Sequence, residues 1–137
     1  MTDKVRYRRN PNDCDKWQTC VPRDQTVIYL ASPYLHKDIT VRLDRFKKVC
    51  EAAAELMKDG YVVFSPIAHS HPIATHGDIN PTNNEFWLEQ DKALMPICTE
   101  MIVLQLPGWE DSKGIKEEIL FAEELGIEVY YLKQEDL

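Results

Sequence analysis

Four short runs rich in β-branched, aliphatic and aromatic residues recur along this 137-residue sequence, and helical segments separate them. The runs cover residues 26–31, 61–66, 101–107 and 128–132. Their nearly continuous apolar character is typical of strands covered on both faces, and neighbouring parallel strands need connections long enough to hold a helix. The alternation therefore predicts an α/β domain with a mainly parallel sheet.

Three helices are expected between these strands. The first runs from about residue 40 to residue 59 and ends before Gly60, a typical C-cap glycine. The second begins at Asn84, which can cap it, and Pro96 helps to terminate it. The third covers residues 112–126. The segment between residues 67 and 83, rich in His, Pro, Asn and Gly, is expected to be a loop. The apolar stripe predicted for the first helix consists of Leu43, Phe46, Cys50, Ala53 and Met57.

The length suits one domain, which we expect over residues 26–137 after a polar, proline-punctuated arm of residues 1–25. No apolar run approaches the roughly 18 residues that span a bilayer, and no apolar stretch follows the charged start. A cytoplasmic protein that does not bind membranes is the expectation. The net charge of −7 argues against a partner such as duplex nucleic acid, although a local pocket can still accept a small anion.

The four cysteines do not predict a metal site. Cys14 and Cys20 lack the usual spacing of zinc ligands, whereas Cys50 and Cys98 lie in apolar contexts and are expected to be buried as reduced thiols.

The third helix carries a carboxylate on its apolar face. At about 100° per residue, Glu118 falls between Ala122 and Leu125. The preceding helix repeats the pattern, because Asp91 lies between apolar positions that include Trp87 and Leu88. A carboxylate facing a core must be paired, hydrogen-bonded or protonated. Two such acids on helices flanking one strand indicate a functional site, and paired carboxylates suit chemistry at an anomeric carbon.

Ligands of parallel sheets bind beyond the carboxyl ends of the strands. The segments at those ends are residues 32–34, residues 65 onward and residues 107–114. Glu118 follows the last of these closely, and the start of its helix offers free N–H groups suited to an anion. Residues that can contact a ligand there are Ser32, Pro33, Tyr34, His69, His71, Trp109, Asp111, Ser112 and Gly114.

Three segments together, residues 28–34, 89–91 and 112–122, resemble the nucleoside 2-deoxyribosyltransferase superfamily, which includes 2'-deoxynucleoside 5'-phosphate N-hydrolases. The sequence "FSPIAHSHPIA" of residues 64–74 is similar to a small branch of bacterial and phage proteins. The resemblance covers about residues 26–132. It implies a three-layer Rossmann-like (flavodoxin-like) parallel sheet of four to five strands, a homo-oligomer, and an enzyme that needs no cofactor and no metal.

The resemblance also implies roles for single residues. Glu118 matches a nucleophile that attacks C1' of the sugar, Asp91 matches an aspartate that assists protonation, and Tyr29 matches a tyrosine that orients the nucleophile. Ser112 occupies a position where the phosphate hydrolases carry a serine that helps to bind the 5'-phosphate. The transferases usually carry an aspartate at this position. Asp111 is adjacent, so a shift of the loop by one residue would place an acid there. The substrate, nucleoside or nucleotide, therefore stays open, as does the choice between hydrolysis and transfer.

Other interpretations remain beside the enzyme. The same pocket can hold a nucleotide without turnover, or the fold can serve a structural or host-interaction role. His69, His71, His76 and Asp78 favour contacts with a ligand or packing over a metal site. Tyr34 and Trp109 are equally suited to stacking on a base and to covering the sheet edge, whereas Trp87 is expected in the core. Arg42 and Arg45 can meet a phosphate, although both are expected to face solvent.

Overall fold

A computed structural model describes residues 26–137, so the predicted arm of residues 1–25, with Cys14 and Cys20, lies outside the described residues. Four strands form one sheet: β1 (Val27–Ala31), β2 (Val62–Phe64), β3 (Glu100–Leu104) and β4 (Glu128–Leu132). All pairings are parallel, and the strand order is β2-β1-β3-β4. The predicted α/β fold with a parallel sheet is confirmed.

Four helices flank this sheet: α1 (Ile39–Lys58), α2 (Pro66–Gly77), α3 (Asn84–Leu94) and α4 (Lys113–Leu125). Alternate residues of each strand point to opposite faces, so Ile28 and Leu30 pack with residues of α1, whereas Tyr29 and Ala31 pack with residues of α4. The result is a three-layer, Rossmann-like domain with one apolar core on each face of the sheet. Within residues 26–137, no helix combines the length and the apolar character that crossing a membrane requires.

Helix α2 corrects the expectation of a loop after β2. Ser65 caps its start by accepting a hydrogen bond from the Ala68 N–H, and Pro66 occupies the first helical position, where its missing N–H costs nothing. Pro72 lies inside the helix, and Asp78 ends it at φ 55°. The composition of the segment indicated a loop, but the capping signals at its start outweigh one internal proline.

The stripe predicted for α1 was also wrong in part. Leu43 and Met57 are about half exposed, at 47% and 52%, and Cys50 is only partly buried. The buried face instead consists of Val49, Ala52, Ala53 and Leu56. Both sets follow helical spacing, and Ala53 is the predicted residue that belongs to the buried face. Cys98 is buried, as predicted.

Helices α3 and α4 both begin with a side-chain cap at the edge where the strands end. Asn83, one residue before the predicted cap, accepts a hydrogen bond from the Phe86 N–H. Ser112 accepts one from the Ile115 N–H at 3.3 Å. The two helix starts are in contact, because Asn84 donates from Nδ2 to Glu117 Oε2 at 3.4 Å. This contact brings the inward faces of both helices toward one space.

Candidate functional site

A cavity of about 550 Å³ opens beyond the carboxyl ends of β1 and β3. The chain leaves β1 toward β2 on one side, whereas β3 and β4 lie on the other, so the cavity occupies the topological switch point of the sheet. This is the place where open α/β sheets bind ligands. Of the predicted site residues, the cavity is lined by Ser32, Tyr34, Asp91, Asp111, Ser112, Gly114 and Glu118.

Glu118 lies in the wall of this cavity and is buried, with 7% of its surface exposed. It follows Ile115 by three residues and precedes Ala122 by four, and both of these pack in the core, so helical geometry turns Glu118 inward. The Tyr29 hydroxyl, reaching across from β1, donates a hydrogen bond to Glu118 Oε2. The sequence-based prediction of an inward carboxylate is confirmed.

Burial raises the pKa of Glu118 from 4.5 to about 8. The Tyr29 hydrogen bond opposes this shift because it stabilises the ionised form, whereas the charges of Asp91 and Glu117 add to it. Burial of the Tyr29 phenol, together with the nearby Glu118 charge, holds its pKa well above 10.0, so the Tyr29 hydroxyl remains a hydrogen-bond donor. Glu118 is therefore a carboxyl whose protonation changes near physiological pH.

Asp91 is the second acid of the cavity. It is buried on α3, with 9% of its surface exposed, and burial raises its pKa from 3.8 to about 7. Its charge also raises the pKa of Glu118, so ionisation of Asp91 disfavours ionisation of Glu118. Both pKa values thus lie close to neutral pH, and a pair that holds a single proton contains one carboxylate and one carboxylic acid, the two forms that acid–base chemistry requires.

Arg45 ties together two loops at the rim. Its guanidinium donates to the Leu35 carbonyl at 3.0 Å and to the Pro107 carbonyl at 3.1 Å, joining the loop after β1 to the loop after β3. Gly108 allows this approach: it has φ +90°, and a Cβ atom there would lie 2.7 Å from Arg45 Nη2. Arg45 is partly exposed, so the expectation that it faces solvent is met in part, but its guanidinium also bonds a loop more than 60 residues away in the sequence.

Tyr34 forms part of the cavity wall, and His71 contacts it on the side away from the cavity. Its hydroxyl lies 2.6 Å from His71 Nδ1, and the His71 ring stacks on Phe46 with ring centres 4.1 Å apart. Burial and the Arg42 charge lower the pKa of His71, which favours the neutral imidazole. His71 thus supports the cavity wall without lining the cavity.

Three further predicted contacts lie away from the cavity lining. Pro33 is buried beside it, and His69 is exposed, with its ring edge against Phe64. Trp109 packs against Tyr131 with ring centres 5.6 Å apart, so it covers the sheet.

The sequence interpretation missed part of the lining. Trp87 was expected in the core, yet it is only partly buried and lines the cavity, with its indole N–H bonded to the Asn80 carbonyl at 3.0 Å. Its position beside Leu88 on the inward face of α3 was the available signal. Ile67 and Ser70 escaped notice because α2 was read as a loop.

A comparison with protein-family models matches residues 26–134 to the domain of unknown function DUF1937. The chain belongs to that family. The match covers nearly all described residues, including every strand, Asp91 and Glu118. No curated protein matches the chain. In residues 26–137, no group of three or more His, Cys, Asp or Glu side chains is arranged to hold a metal ion.

Proposed function

We propose that the protein cleaves the N-glycosidic bond of a 2'-deoxynucleoside or its 5'-monophosphate, passing the sugar to water or to another base. The observation that carries the proposal is the buried Glu118 carboxyl, which lines the cavity, accepts a hydrogen bond from Tyr29 and is electrostatically coupled to Asp91. The likeness of these three residues to the deoxyribosyltransferase pattern supports it.

The chemistry follows from the two acids. The reactive form of the pair is the one in which Asp91 carries the proton and Glu118 is ionised. Glu118 then attacks C1' of the sugar while Asp91 gives its proton to the departing base, so the glycosidic bond breaks as an ester bond forms. Water or a second base then attacks C1', Asp91 takes up the proton that this nucleophile loses, and Glu118 leaves as a carboxylate. Tyr29 keeps Glu118 ionised before the attack and favours its departure as a carboxylate in the second step, because its hydrogen bond stabilises the charge.

The cavity matches the size and surface of such a substrate. About 550 Å³ lies within the range of roughly 300–1,000 Å³ that is usual for small-molecule sites. Trp87 and Leu88 offer an apolar wall against which a base can pack, whereas Asn84 and Ser70 provide polar groups.

One observation favours the alternative of a nucleotide-binding module without turnover. With a pKa of about 8, Glu118 is mostly protonated at neutral pH. A neutral carboxylic acid donates hydrogen bonds and is a poor nucleophile. In this alternative, Glu118 holds a sugar hydroxyl and never attacks C1'.

Chromatography of free bases separates these two functions. The purified protein is incubated with deoxynucleosides and their 5'-monophosphates, including modified pyrimidines, with and without an acceptor base. Wild type should release base, and Glu118→Ala should lower the rate by roughly 10⁴-fold or more. Glu124→Gln, an exposed site on the same helix, is the matched control and should retain the rate.

The same experiment distinguishes hydrolysis from transfer. Base release that requires an acceptor indicates a transferase, and release without one indicates a hydrolase. Ligand binding without release from any substrate would overturn the enzyme proposal in favour of the binding module.

A further inference from the structure

We propose that Arg45 is a positioning residue, which holds the loop after β1 (residues 32–38) and the loop after β3 (residues 105–112) in the arrangement to which ligands bind. Loss of Arg45 should then weaken the binding of every ligand of the cavity, with or without a phosphate. The coupling of the two loops is a property of the protein without ligand, so the inference rests on the proposed function only for the choice of test ligands.

The loop after β1 is held by side chains of the neighbouring helices. Arg42 and Arg45, three residues apart on α1, therefore lie on the same side of that helix. Arg42 donates to the His36 carbonyl, and Arg45 donates from Nη1 to the Leu35 carbonyl at 3.0 Å. The hydroxyl of the preceding residue, Tyr34, is bonded to a side chain of α2. Three consecutive residues of this loop thus depend on contacts with α1 and α2.

Arg45 also reaches the loop after β3. Its Nη2 donates to the Pro107 carbonyl at 3.1 Å. Within residues 26–137, no other side chain is hydrogen-bonded to both loops, and no backbone hydrogen bond joins them directly. A guanidinium suits this role because its N–H donors point in several directions from one plane and can serve two acceptors at once.

The contact at Gly108 favours a structural bond over a ligand contact on this side of the guanidinium. A Cβ atom at residue 108 would lie 2.7 Å from Arg45 Nη2, so the backbone of the loop after β3 occupies that space. Hydrogen bonds from a charged donor are stronger than those between neutral groups. Arg45 therefore holds the two loops against each other by bonds that a ligand does not need to supply.

The two loops supply much of the cavity lining. The lining residues in these loops are Ser32, Tyr34, Leu35, His36, Gly108, Asp111 and Ser112. The loop after β3 also leads directly into α4, the helix that carries Glu118. Without Arg45 the loops can move independently, and a ligand must order them as it binds. The free energy of that ordering is subtracted from the binding free energy.

Hydrogen exchange of the ligand-free protein tests the coupling directly. The Asp38 N–H bonds His36 Nδ1 at 3.0 Å and reports on the loop after β1. The Ser112 N–H bonds the Trp109 carbonyl at 3.2 Å and reports on the loop after β3. Arg45→Met should speed exchange at both amides by about 10-fold or more, the usual effect of losing hydrogen bonds to a charged group.

Gly108→Ala distinguishes coupling from a local disturbance. The added atom lies in the loop after β3 and meets Arg45, so this variant should speed exchange at Asp38 in the other loop. The same substitution made in Arg45→Met should have no further effect at Asp38. Rates are compared with that of the Ile127 N–H, which bonds the Ala122 carbonyl at the opposite edge of the sheet and reports on overall stability. Equal acceleration at Asp38 and Ile127 would overturn the proposal.

Calorimetry shows what the coupling does for a ligand, using the deoxynucleosides and 5'-monophosphates that bind wild type. Arg45→Met should weaken the binding of a nucleoside and of its monophosphate by the same factor, about 10-fold. Arg45→Lys keeps the charge but lacks the forked donor group, and should bind as weakly as Arg45→Met. Lys48→Met removes another cation of α1, which pairs with Asp44 outside the lining, and should bind as wild type does.

The outcomes separate this inference from the proposed function. A loss confined to monophosphates, or full affinity in Arg45→Lys, would show that the charge of Arg45 acts on the ligand itself and would overturn the positioning role. Base release by a wild-type protein whose loop exchange is unchanged in Arg45→Met supports the enzyme and overturns the positioning role. Ligand binding without base release, together with faster exchange in both loops of Arg45→Met, overturns the enzyme and supports the positioning role.

Discussion

Replacing Glu118 by Gln should make the folded protein more stable at high pH. A buried acid whose pKa is raised on folding binds its proton more tightly in the folded state than in the unfolded chain. Its favourable contribution is complete below pH 4.5 and is lost as the pH rises to about 8, the pKa in the fold. Gln has nearly the same shape, cannot ionise and can still accept the Tyr29 hydrogen bond through its carbonyl.

The magnitude follows from the shift. Each pKa unit corresponds to about 1.4 kcal/mol, so full ionisation of Glu118 costs about 5 kcal/mol as an upper bound. Most of this cost arises between pH 5 and pH 9, where the free energy of unfolding of wild type should fall relative to that of Glu118→Gln by up to about 4 kcal/mol. Asp91 is present in both proteins, so its own burial cost largely cancels in the comparison.

Urea unfolding at several pH values between 5 and 9 measures this difference. The two proteins should be similar at pH 5, and Glu118→Gln should be clearly the more stable at pH 9. Glu124→Gln, on the exposed side of α4, should differ from wild type by the same amount at every pH. A difference between wild type and Glu118→Gln that stays constant across this range would refute the raised pKa and with it the burial argument.

Two further substitutions probe the supports of the cavity. Tyr29→Phe removes the hydrogen bond that lowers the pKa of Glu118. Titration of the Glu118 carboxyl by ¹³C NMR should therefore show a pKa above the wild-type value. An unchanged or lower pKa would contradict the stabilising role given to the Tyr29 hydrogen bond. Gly108→Ala adds a Cβ atom 2.7 Å from Arg45 Nη2 at φ +90°, and thermal unfolding should show a loss of about 1–3 kcal/mol. Gly77→Ala is the control, because nothing lies within 4 Å of the added atom, and it should not destabilise the protein. Equal effects of the two alanine substitutions would argue against the close contact between residue 108 and Arg45.

The strands were predictable to within one to three residues because each is a short apolar run between turn signals. The run at residues 128–132 matches β4 without error. Helix α2 was not predictable from composition, since its helical signals are only the Ser65 cap and Pro66. The face of α1 was ambiguous for another reason: its apolar residues cover more than one side, and only packing on the sheet selects Val49 and Ala52.

The inward direction of Glu118 and Asp91 was predictable because a charged residue interrupting an apolar face is visible in the sequence. The hydrogen bonds of the rim were not predictable. Arg45 reaches a loop that follows another strand, and only the surroundings of Ser32 show that its hydroxyl has no partner among residues 26–137. Assembly into a homo-oligomer, which the resemblance implies, stays a prediction.

The two acids lie on helices α3 and α4, whose starts are in contact, whereas other residues of the cavity lining lie in loops. The two acids are carried by regular helices that meet at Asn84 and Glu117 and pack on a rigid sheet. Other residues that line the cavity, such as Ser32, Leu35 and Asp111, lie instead in the connections after β1 and β3. Loops accept substitutions and changes of length more readily than packed helices. Substitutions in these connections can therefore reshape the cavity while the spacing of the two acids is kept.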